Sequence, residues 1–446
     1  MCSRLFPCCV VLSLLPFVSQ AAAADYVVVI SAATQANGDW NKSAEALVAK
    51  YQATVLTYDK SPREVLPKLK ELHPRYTCFV ARSEEASREF VATVHQLTRQ
   101  YDDDPYTDTQ WGILTGYDAA NALAIAETKE PLVIRKVAAG TELALEMCAE
   151  GLCYDELVKN KLVKKTAGKP AVQERGPDDT TKALVDVLND YQPQLFVTSG
   201  HATERDWMIG FRYKNGFFKS KAGQMFGEDT TGGKHEVNSP SAKVYLPIGN
   251  CLMGHIDGKD AMALAWMNDA GVKQMLGYTV PTWFGYSGWG VLDYFVEQPG
   301  RYTLTEAFFA NQHALVHALE TKGGDRRGLE FDRDVVAFYG DPAWSARMAD
   351  APKAYDQQLT QQGDEYTLTI TPRRGADSFK PINLNGSQRG WRPMVQFLPQ
   401  RVKNVEVTAG GDLKPIITDD FILIPNPREC DPQRVYRVVF RVTAMP

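Results

Sequence analysis

The stretch VYLPIGNCLMGH, at residues 244–255, is an apolar run that ends in Gly-Asn, and Cys251 stands where the run stops. The stretch QLFVTSGH, at residues 194–201, has the same form and ends in His201. Short apolar runs bounded by glycine are typical of strands buried in a parallel sheet. Because ligands and reacting groups collect at the carboxyl ends of such strands, these two stretches are the main functional clue in the sequence.

Strand-like and helix-like segments alternate around the two stretches. Strands are predicted at residues 26–30, 53–58, 76–81, 112–114, 132–137, 195–199, 244–248, 272–280 and 335–339. Helices are predicted at residues 41–51, 84–101, 119–127, 180–191, 260–270 and 303–322. Capping boxes at Ser61–Glu64 and Thr303–Glu306 mark two helix starts. The alternation predicts an α/β fold in two halves, with a parallel sheet covered by helices on both faces.

Three other segments lack this alternation. Residues 157–176 are rich in lysine and are predicted to be a surface connection between the two α/β halves. Residues 206–240 are predicted to be a long irregular insertion. After about residue 351 the pattern changes to short β-runs separated by turn residues, at residues 366–371, 394–398, 402–407, 421–424 and 435–442. These runs predict a small all-β domain of the sandwich type.

Residues 1–24 have the composition of a secretory signal peptide. Arg4 gives a positive start, residues 10–18 are apolar, and four alanines precede the expected cleavage between Ala24 and Asp25. We therefore expect a secreted or periplasmic protein, and a leader kept as a membrane anchor is the alternative. No later segment approaches the ~20 apolar residues of a membrane-spanning helix, so no transmembrane segment is expected.

The overall composition is that of an ordinary globular protein. Of the 446 residues, 44% are hydrophobic and 23% are charged, and the length favours two or three domains. The net charge is −5, and the chain contains no basic run and no basic-aromatic interleaving. The sequence therefore argues against a nucleic-acid partner.

Five of the eight cysteines lie beyond the predicted leader, and this odd number leaves a thiol free. Cys148 and Cys153 are close enough in sequence to pair. Cys78 lies in an apolar run and is expected to be an inert core residue. The cysteines and histidines do not show the spacing of a zinc site, so no metal ligand is predicted among them.

The acidic loop at residues 102–104, with Asp108 nearby, offers oxygen ligands that calcium could use. The loop lacks the spacing of an EF-hand. A solvated loop is therefore the favoured interpretation, and calcium remains the alternative.

A cysteine and a histidine at strand ends suit acyl transfer. A thiolate attacks a carbonyl carbon, and imidazole can give a proton to the departing amine near neutral pH. Backbone N–H groups exposed at the tight turns of Gly200 and Gly249 can stabilise the oxyanion that develops. Three alternatives remain open: His255 as the base, Ser199 as the nucleophile in a stretch that is not a G-x-S-x-G elbow, or purely structural roles.

At these residues the sequence resembles the caspase-like cysteine peptidases, and within them the gingipain-type family. The matching text is VTSGHATE at 197–204, IGNC at 248–251, LGYTVPTW at 276–283 and FYGDP at 338–342. The resemblance implies an α/β fold of two caspase-like parallel-sheet subdomains followed by a C-terminal immunoglobulin-like β-sandwich. The corresponding units are a leader at 1–24, an N-terminal subdomain at 25–156, a catalytic subdomain at 157–350 and the sandwich at 351–446.

The resemblance also implies roles for single residues of a peptidase that acts on protein or peptide substrates. Cys251 would be the nucleophile, and His201 would be the proton donor to the leaving amine. The N–H groups of Ala202 and Cys251 would form the oxyanion hole. The substrate would be bound by Thr282, Trp283 and Glu204. No cofactor is required for this chemistry.

Two features bear on whether and how such a site works. The family has His-Gly where this chain has His201-Ala202, and alanine costs energy if the backbone there needs a positive φ. The alternative function is therefore a catalytically silent relative that binds peptides or surfaces.

Asp155 and Glu156 follow a segment like the one that selects Arg or Lys substrates in the family, but a solvated acidic pair is the favoured interpretation.

Overall fold

A computed structural model describes residues 25–444, so the predicted leader at residues 1–24 lies outside the described chain. The first α/β half contains β1 (Tyr26–Ser31), α1 (Ala32–Ala36), α2 (Gly38–Tyr51), β2 (Thr54–Tyr58), α3 (Leu66–Leu72), β3 (Tyr76–Val80), α4 (Arg88–Leu97), β4 (Gln110–Leu114) and α5 (Ala119–Ala126). The helix predicted at 84–101 is shorter than expected. The helix, α4, begins at Arg88, because the Ser87 hydroxyl accepts a hydrogen bond from the Phe90 N–H and caps the helix there.

The second half adds fourteen strands and five helices between residues 132 and 348. Its strands are β5 (Leu132–Ile134), β6 (Lys136–Ala139), β7 (Glu150–Tyr154), β8 (Lys161–Lys165), β9 (Val172–Arg175), β10 (Leu195–Thr198), β11 (Asp206–Met208), β12 (Phe217–Lys221), β13 (Gln224–Glu228), β14 (Lys234–Glu236), β15 (Lys243–Pro247), β16 (Val272–Tyr278), β17 (Val336–Gly340) and β18 (Ala346–Met348). Its helices are α6 (Thr181–Asp186), α7 (Met262–Asp269), α8 (Tyr286–Phe295), α9 (Leu304–Glu320) and α10 (Arg326–Asp332). Among residues 25–444, no helix has both the length and the hydrophobicity needed to cross a membrane.

Twelve strands form one continuous sheet, in the order β2-β1-β3-β4-β17-β16-β15-β10-β6-β7-β8-β9. The first five strands in this order, β2, β1, β3, β4 and β17, are parallel to one another. The next five, β16, β15, β10, β6 and β7, form a second parallel set. β16 and β17 are antiparallel and join the two sets. The predicted α/β fold with a mainly parallel sheet is therefore confirmed.

The boundary predicted at residue 156 falls inside the second parallel set. β6 and β7 precede that boundary, yet they extend the sheet beyond β10, away from β1–β4. In chain order the strands of the first half therefore end with β4, and β17 returns later in the chain to pair with it. The chain crosses to the second half near residue 130, because β6 takes β10 as its parallel neighbour.

A buried carboxylate joins the two halves of the molecule. Asp341, in the Gly-Asp-Pro segment after β17, is 1% exposed. It accepts hydrogen bonds from the hydroxyls of Tyr26 at 2.8 Å and Tyr51 at 2.7 Å, and it pairs with the Lys50 ammonium at 2.9 Å. The segment that ends the second half is therefore held against β1 and α2 of the first.

Two segments in which no strand was predicted, the surface connection and the irregular insertion, form strands. Residues 157–176 contain β8 and β9, which lie at the edge of the large sheet, where lysine and glutamate face solvent without a hydrophobic alternation. Residues 206–240 contain β11–β14, a four-stranded antiparallel sheet. Trp207, Phe218 and Met225 are its deeply buried side chains, at 0, 0 and 1% exposure. Because the segment has so few buried apolar positions, its sequence does not show the hydrophobic alternation that predicts a strand.

The β domain contains β19 (Tyr355–Gln362), β20 (Glu365–Pro372), β21 (Met394–Phe397), β22 (Val402–Ala409), β23 (Ile416–Ile417), β24 (Phe421–Ile424) and β25 (Tyr436–Ala444). These strands form two antiparallel sheets, β19-β20-β25-β22 and β21-β24-β23. One apolar core includes residues of both sheets, such as Leu368, Ile422 and Phe440. The predicted all-β domain is present, but this strand order does not confirm the immunoglobulin-like form that the resemblance implied.

Residues 380–393, between β20 and β21, extend from the β domain onto the second α/β half, and we call them the strap. Arg389 of the strap is 3% exposed, and its guanidinium donates to Asp293 at 2.6 Å and to Glu297. The Arg392 guanidinium lies 3.1 Å from Asp293 and 3.7 Å from the ring centroid of Tyr286. Buried ion pairs therefore attach the strap to α8.

Replacing Arg389 by methionine should destabilise the protein by about 3–5 kcal/mol, because Glu297 would lose its buried cation and Asp293 would keep only Arg392. The loss should be larger at pH 9 than at pH 6. Burial and the nearby Asp293 raise the pKa of Glu297 from 4.5 to about 8, so the folded state binds an extra proton between those values. Stability therefore falls as the pH rises through that window. Chemical denaturation at both pH values measures the effect.

Arg373→Met is the matched control for this substitution. Arg373 pairs with Asp356 at the surface of the same domain, where the two side chains are 56% and 50% exposed. Loss of an exposed pair should change the free energy of unfolding by less than about 1 kcal/mol. Equal losses in the two variants would show that the strap is not held by a buried ion pair.

Candidate active site

β10 and β15 are adjacent parallel strands whose carboxyl ends lie side by side. Their register places Thr198 opposite Pro247, and the Ile248 N–H donates to the Thr198 carbonyl at 3.1 Å. His201 lies three residues after the end of β10, and Cys251 lies four residues after the end of β15. Because neighbouring strands lie only about 4.8 Å apart, the two residues leave the sheet at the same edge.

Asn250 ties the two strand ends together. Its side chain is fully buried, its amide donates to the Gly200 carbonyl at 3.0 Å, and its carbonyl accepts from the Thr198 hydroxyl at 2.6 Å. Since Asn250 precedes Cys251 and Gly200 precedes His201, these bonds set the separation of the two predicted catalytic residues. Sequence reasoning did not assign this role, because the two bonds join residues 50 and 52 positions apart in the chain.

The Cys251 thiol is partly exposed and lies against the loop that follows β16. The Thr282 N–H donates to Cys251 Sγ at 3.1 Å, and the Thr282 carbonyl oxygen is 3.7 Å from the same sulfur. A hydrogen bond from a backbone N–H is strongest when the acceptor carries negative charge, as the attacking thiolate does. Thr282, predicted to bind substrate, therefore contacts the predicted nucleophile through its backbone.

All five cysteines in residues 25–444 are free thiols, so the pairing considered for Cys148 and Cys153 is not formed. Cys153 lies within β7, and Cys148 lies in the turn before it, each 2% exposed. Cys78 and Cys430 are also buried, at 0% and 8% exposure. Cys251 is therefore the accessible thiol of the described chain.

The His201 ring is exposed and stacks on the Phe211 ring, with the two centroids 4.7 Å apart. Phe211 is held through its backbone, because its N–H donates to the Glu156 carbonyl at 2.7 Å. No hydrogen bond joins the His201 ring to Cys251 Sγ in the part of the chain that the structure describes. Such bonds are often long in enzymes without substrate and shorten when the substrate binds.

The N–H groups of Ala202 and Cys251 donate to no other group within residues 25–444. Ala202 bridges Trp207 in an antiparallel pair whose hydrogen bonds use the residues on either side of it. Gly200 adopts the left-handed backbone conformation, with a φ of 99°, whereas Ala202 does not have a positive φ. The methyl group of Ala202 therefore causes no backbone strain, and the N–H remains available as a donor.

The alternative base is paired elsewhere. His255 Nδ1 lies 3.0 Å from Glu204 Oε1, so the predicted substrate-binding carboxylate of Glu204 has a partner inside the fold. Ser199, the alternative nucleophile, is 5% exposed. Its hydroxyl makes no hydrogen bond to a histidine among the described residues, and a serine mechanism therefore lacks its base.

Two aromatic side chains near the strand ends are exposed. Trp283, predicted to bind substrate, is 52% exposed, and Phe211 is 45% exposed. Trp283 packs on Phe284 and Phe331, with ring centroids 5.6 and 5.4 Å away. Phe211 was missed by sequence reasoning because it lies in the segment that was predicted to be irregular.

A buried aspartate positions the loop that carries Thr282. Asp332, at the end of α10, accepts hydrogen bonds from the Tyr278 hydroxyl at 3.0 Å and the Ser287 N–H at 2.5 Å. Tyr278 ends β16 and Ser287 begins α8, so Asp332 holds both ends of the loop at residues 279–285. Burial raises the pKa of Asp332 to about 6. Its role depends on a tertiary contact, and the sequence offers no signal for it.

Asp155 and Glu156 are each 5% exposed, so the expectation of a solvated pair is wrong. Asp155 pairs with Lys161 at 2.8 Å and accepts from the backbone N–H groups of Leu157 and Val158. The Glu156 Oε2 atom has no hydrogen-bond partner in the described chain, and burial raises the pKa of Glu156 to about 8. Both residues follow the carboxyl end of β7, at the same sheet edge as His201.

A group of acidic residues lies between the loop at 102–108 and the β domain. The carboxylates of Asp102, Asp104 and Asp419 have oxygen atoms within 4.8 Å of one another, an all-oxygen set of the kind that calcium accepts. Asp108 is 3% exposed, so the predicted loop is not fully solvated, and burial raises the pKa of Asp108 to about 9. These residues could hold a cation, but none of them follows β10 or β15.

Iodoacetamide at pH 8 should modify Cys251 in the folded protein and leave the other four described cysteines unmodified. The other thiols are buried, and burial raises the pKa of Cys148 to about 12 and of Cys153 to about 11. Peptide mapping by mass spectrometry after brief alkylation measures the selectivity. Protein unfolded in urea, where all thiols should react, is the control. Modification of a buried thiol before Cys251 would contradict this assignment of accessibility.

No protein-family profile matches the sequence, and no curated protein sequence matches it. Among solved structures, the chain is similar to the Arg-specific cysteine proteinase gingipain R, with a TM-score of 0.49 and 11% sequence identity. The similarity covers 95% of this chain and 98% of that one. Because the score and the identity are both low, the role of this chain has to be judged from the geometry of its own strand ends.

Proposed function

We propose that the protein is a cysteine endopeptidase of the gingipain-like kind that hydrolyses peptide bonds in protein or peptide substrates. One observation carries this proposal. The buried Asn250 side chain joins the ends of β10 and β15, so an accessible thiol and an exposed imidazole leave the same sheet edge beside two unused N–H groups. Nucleophile, proton donor and oxyanion donors are the parts that acyl transfer requires.

The mechanism follows from these groups. The Cys251 thiolate attacks the scissile carbonyl carbon, and the carbonyl π electrons move to the oxygen. The Ala202 and Cys251 N–H groups stabilise that oxyanion, a contribution worth roughly 10²–10³ in rate for each donor. When the tetrahedral intermediate collapses, the C–N bond breaks and the imidazolium of His201 protonates the departing amine. A thioester on Cys251 remains.

Hydrolysis of the thioester completes the cycle. His201, now neutral, takes a proton from water as the water oxygen attacks the thioester carbon. The second tetrahedral intermediate expels the Cys251 thiolate and releases the carboxylic acid product. No step needs a cofactor. We also propose that the protein is exported, on the basis of the leader-like composition of residues 1–24.

Labelling with peptidyl acyloxymethyl ketones tests the proposal, because these reagents alkylate a thiolate only after the peptide has bound. A panel that varies in the residue before the reacting carbonyl should modify Cys251 in the folded protein. His201→Ala should reduce the labelling rate and leave at most residual turnover. His235→Ala is the control histidine variant, since His235 pairs with Asp229 on the small antiparallel sheet.

Two other results would contradict the proposed peptidase mechanism. If iodoacetamide modifies Cys251 but no acyloxymethyl ketone does, the protein does not bind a peptide with its carbonyl group at the thiol. The protein would then be a peptide- or surface-binding relative without peptidase activity. Cleavage of peptides by protein whose Cys251 is fully alkylated would instead require a different nucleophile.

A further inference from the structure

The chain that leaves β15 stays bound to β10 as far as residue 250. The Ile248 N–H donates to the Thr198 carbonyl at 3.1 Å, and the Asn250 side chain bonds to the Gly200 carbonyl and the Thr198 hydroxyl. These bonds lie on one side of β15, because β10 is its neighbour on that side. They fix the backbone up to the residue before Cys251.

From residue 252 the chain is bound to the strand on the other side, β16, and to its continuation. The Leu252 N–H donates to the Val280 carbonyl at 3.2 Å, and the Gly254 N–H donates to the Tyr278 carbonyl at 2.9 Å. Gly254 also lies directly on the backbone of Gly277, where a Cβ atom on either glycine would collide with the other. The backbone after the predicted nucleophile is therefore fixed as well.

Cys251 lies between these two sets of bonds and joins neither. Its backbone N–H and its carbonyl make no backbone hydrogen bond within residues 25–444. The N–H is the predicted oxyanion donor, and the change of neighbouring strand explains why it is unused. Because the chain is anchored on both sides, the direction of this N–H depends on the backbone torsion angles of the few residues between the anchors.

Leu252 makes the change of direction in a left-handed backbone conformation, with a φ of 58°. Glycine adopts this conformation readily, whereas it is strained for a bulky side chain. Twelve non-glycine residues within residues 25–444 have a positive φ, and Leu252 is the only one of them with a branched aliphatic side chain. It is also the only one of the twelve next to a predicted catalytic residue. Backbone strain that the surrounding bonds hold in place is typical of functional sites.

We infer that Leu252 is a positioning residue whose left-handed backbone directs the Cys251 N–H toward the oxyanion. The inference rests on the proposed peptidase function. If residue 252 took a negative φ, the bonds to Val280 and Tyr278 would still hold the chain that follows. The backbone of Cys251 would have to rotate instead, and its N–H would turn away from the oxyanion.

The competing explanation is a contact between the Leu252 side chain and the substrate, since this leucine is partly exposed beside the nucleophile. The two explanations predict opposite orders of activity among variants. Positioning by the backbone follows the tolerance of each residue type for a positive φ, which is high for glycine and asparagine and low for β-branched residues. A side-chain contact follows apolar size, so isoleucine would replace leucine and glycine would not.

The experiment measures cleavage of a fluorogenic peptide amide that the wild-type protein cleaves. Leu252→Gly and Leu252→Asn should keep kcat within about threefold of wild type, because both residues adopt a left-handed backbone readily. Leu252→Ile, which conserves the side-chain volume, should lower kcat by roughly 10²-fold, the loss typical of one oxyanion donor. KM should stay nearly unchanged, because the donor acts in the transition state. Alkylation of Cys251 by iodoacetamide should keep its rate in all three variants, since displacement of iodide forms no oxyanion.

Gln192→Ile is the matched control. Gln192 has a φ of 51° and follows the helical segment at residues 187–191, three residues before β10 begins. It therefore lies at the amino end of the strand, at the sheet edge opposite to Cys251. A β-branched residue meets the same backbone restriction there, so this variant should lose thermal stability, as Leu252→Ile should, but keep kcat.

The positioning role and the peptidase function fail in different ways. Full activity in folded Leu252→Ile, or loss of kcat in both Leu252→Gly and Leu252→Asn, overturns the positioning role while the peptidase function stands. The glycine and asparagine variants decide the question even if Leu252→Ile does not fold. Reaction of wild-type Cys251 with iodoacetamide but with no peptidyl ketone overturns the peptidase function and the inference together.

Discussion

Replacing Cys251 by alanine should abolish peptide cleavage, with kcat/KM falling by about 10⁴-fold or more, as is typical when a covalent nucleophile is removed. The thiol is the attacking atom in the proposed reaction, and no other described cysteine is accessible. The fold should be almost unaffected. The substitution removes one acceptor for the Thr282 N–H, so the melting temperature should change by less than about 2 °C.

The measurement is steady-state cleavage of a fluorogenic peptide, together with thermal unfolding of the same preparation. Cys430→Ala is the control, since Cys430 lies in the core of the β domain and takes no part in the proposed chemistry. This control should keep full activity even if its stability falls. Wild-type rates in Cys251→Ala would rule out the thioester mechanism, because no other group at the strand ends could form the intermediate.

Asn250→Ala should have the second largest effect, a loss of roughly 10² in kcat/KM, because small displacements of catalytic groups reduce rates by that order. The substitution removes the bonds to the Gly200 carbonyl and the Thr198 hydroxyl, and the bond between the Thr198 and Tyr245 hydroxyls remains between β10 and β15. The free energy of unfolding should fall by about 1–3 kcal/mol, because buried polar groups lose their partners.

Two labelling rates, one with iodoacetamide and one with a peptidyl ketone, distinguish a positioning role of Asn250 from a general loss of stability. Alkylation of Cys251 by iodoacetamide should stay near the wild-type rate in Asn250→Ala, since the thiol remains present and accessible. The rate of labelling by a peptidyl ketone should fall together with kcat, because this reaction needs Cys251 and His201 in the correct relative position. Asn268→Ala, which removes a similar amide bond to the Gly223 carbonyl, should change neither rate. Equal effects in the two asparagine variants would reject the positioning role.

Local sequence patterns were sufficient for most of the secondary structure around the site. β10 and β15 are buried on both faces, and apart from Lys243 at the start of β15 their residues are apolar or small enough to pack. The capping boxes at Ser61 and Thr303 are formed as predicted, because their bonds join residues only three positions apart. Patterns failed where strands lie at a sheet edge or carry few apolar residues, as in β8, β9 and β11–β14.

The helix α8 was also missed. It begins after Gly285 with no side-chain cap and contains Gly288 and Gly290, which sequence rules treat as unfavourable in a helix. Both glycines are explained by close contacts. A Cβ atom on Gly288 would collide with the Ile248 carbonyl, and one on Gly290 would collide with Arg392 and Asn311. Packing between elements therefore outweighs local preference in this helix.

The sequence by itself determined that a cysteine and a histidine follow the ends of two buried strands, because an apolar run and a glycine stop are local features. It also indicated the change from α/β to β pattern near residue 351, and it predicts a leader at residues 1–24, outside the described chain. Only the tertiary structure showed that Asn250 joins the two strand ends and that Asp332 holds the Thr282 loop. These contacts join residues far apart in the chain. They depend on strand order and on which helix packs against which strand end, and local hydrophobic periodicity does not encode either of them.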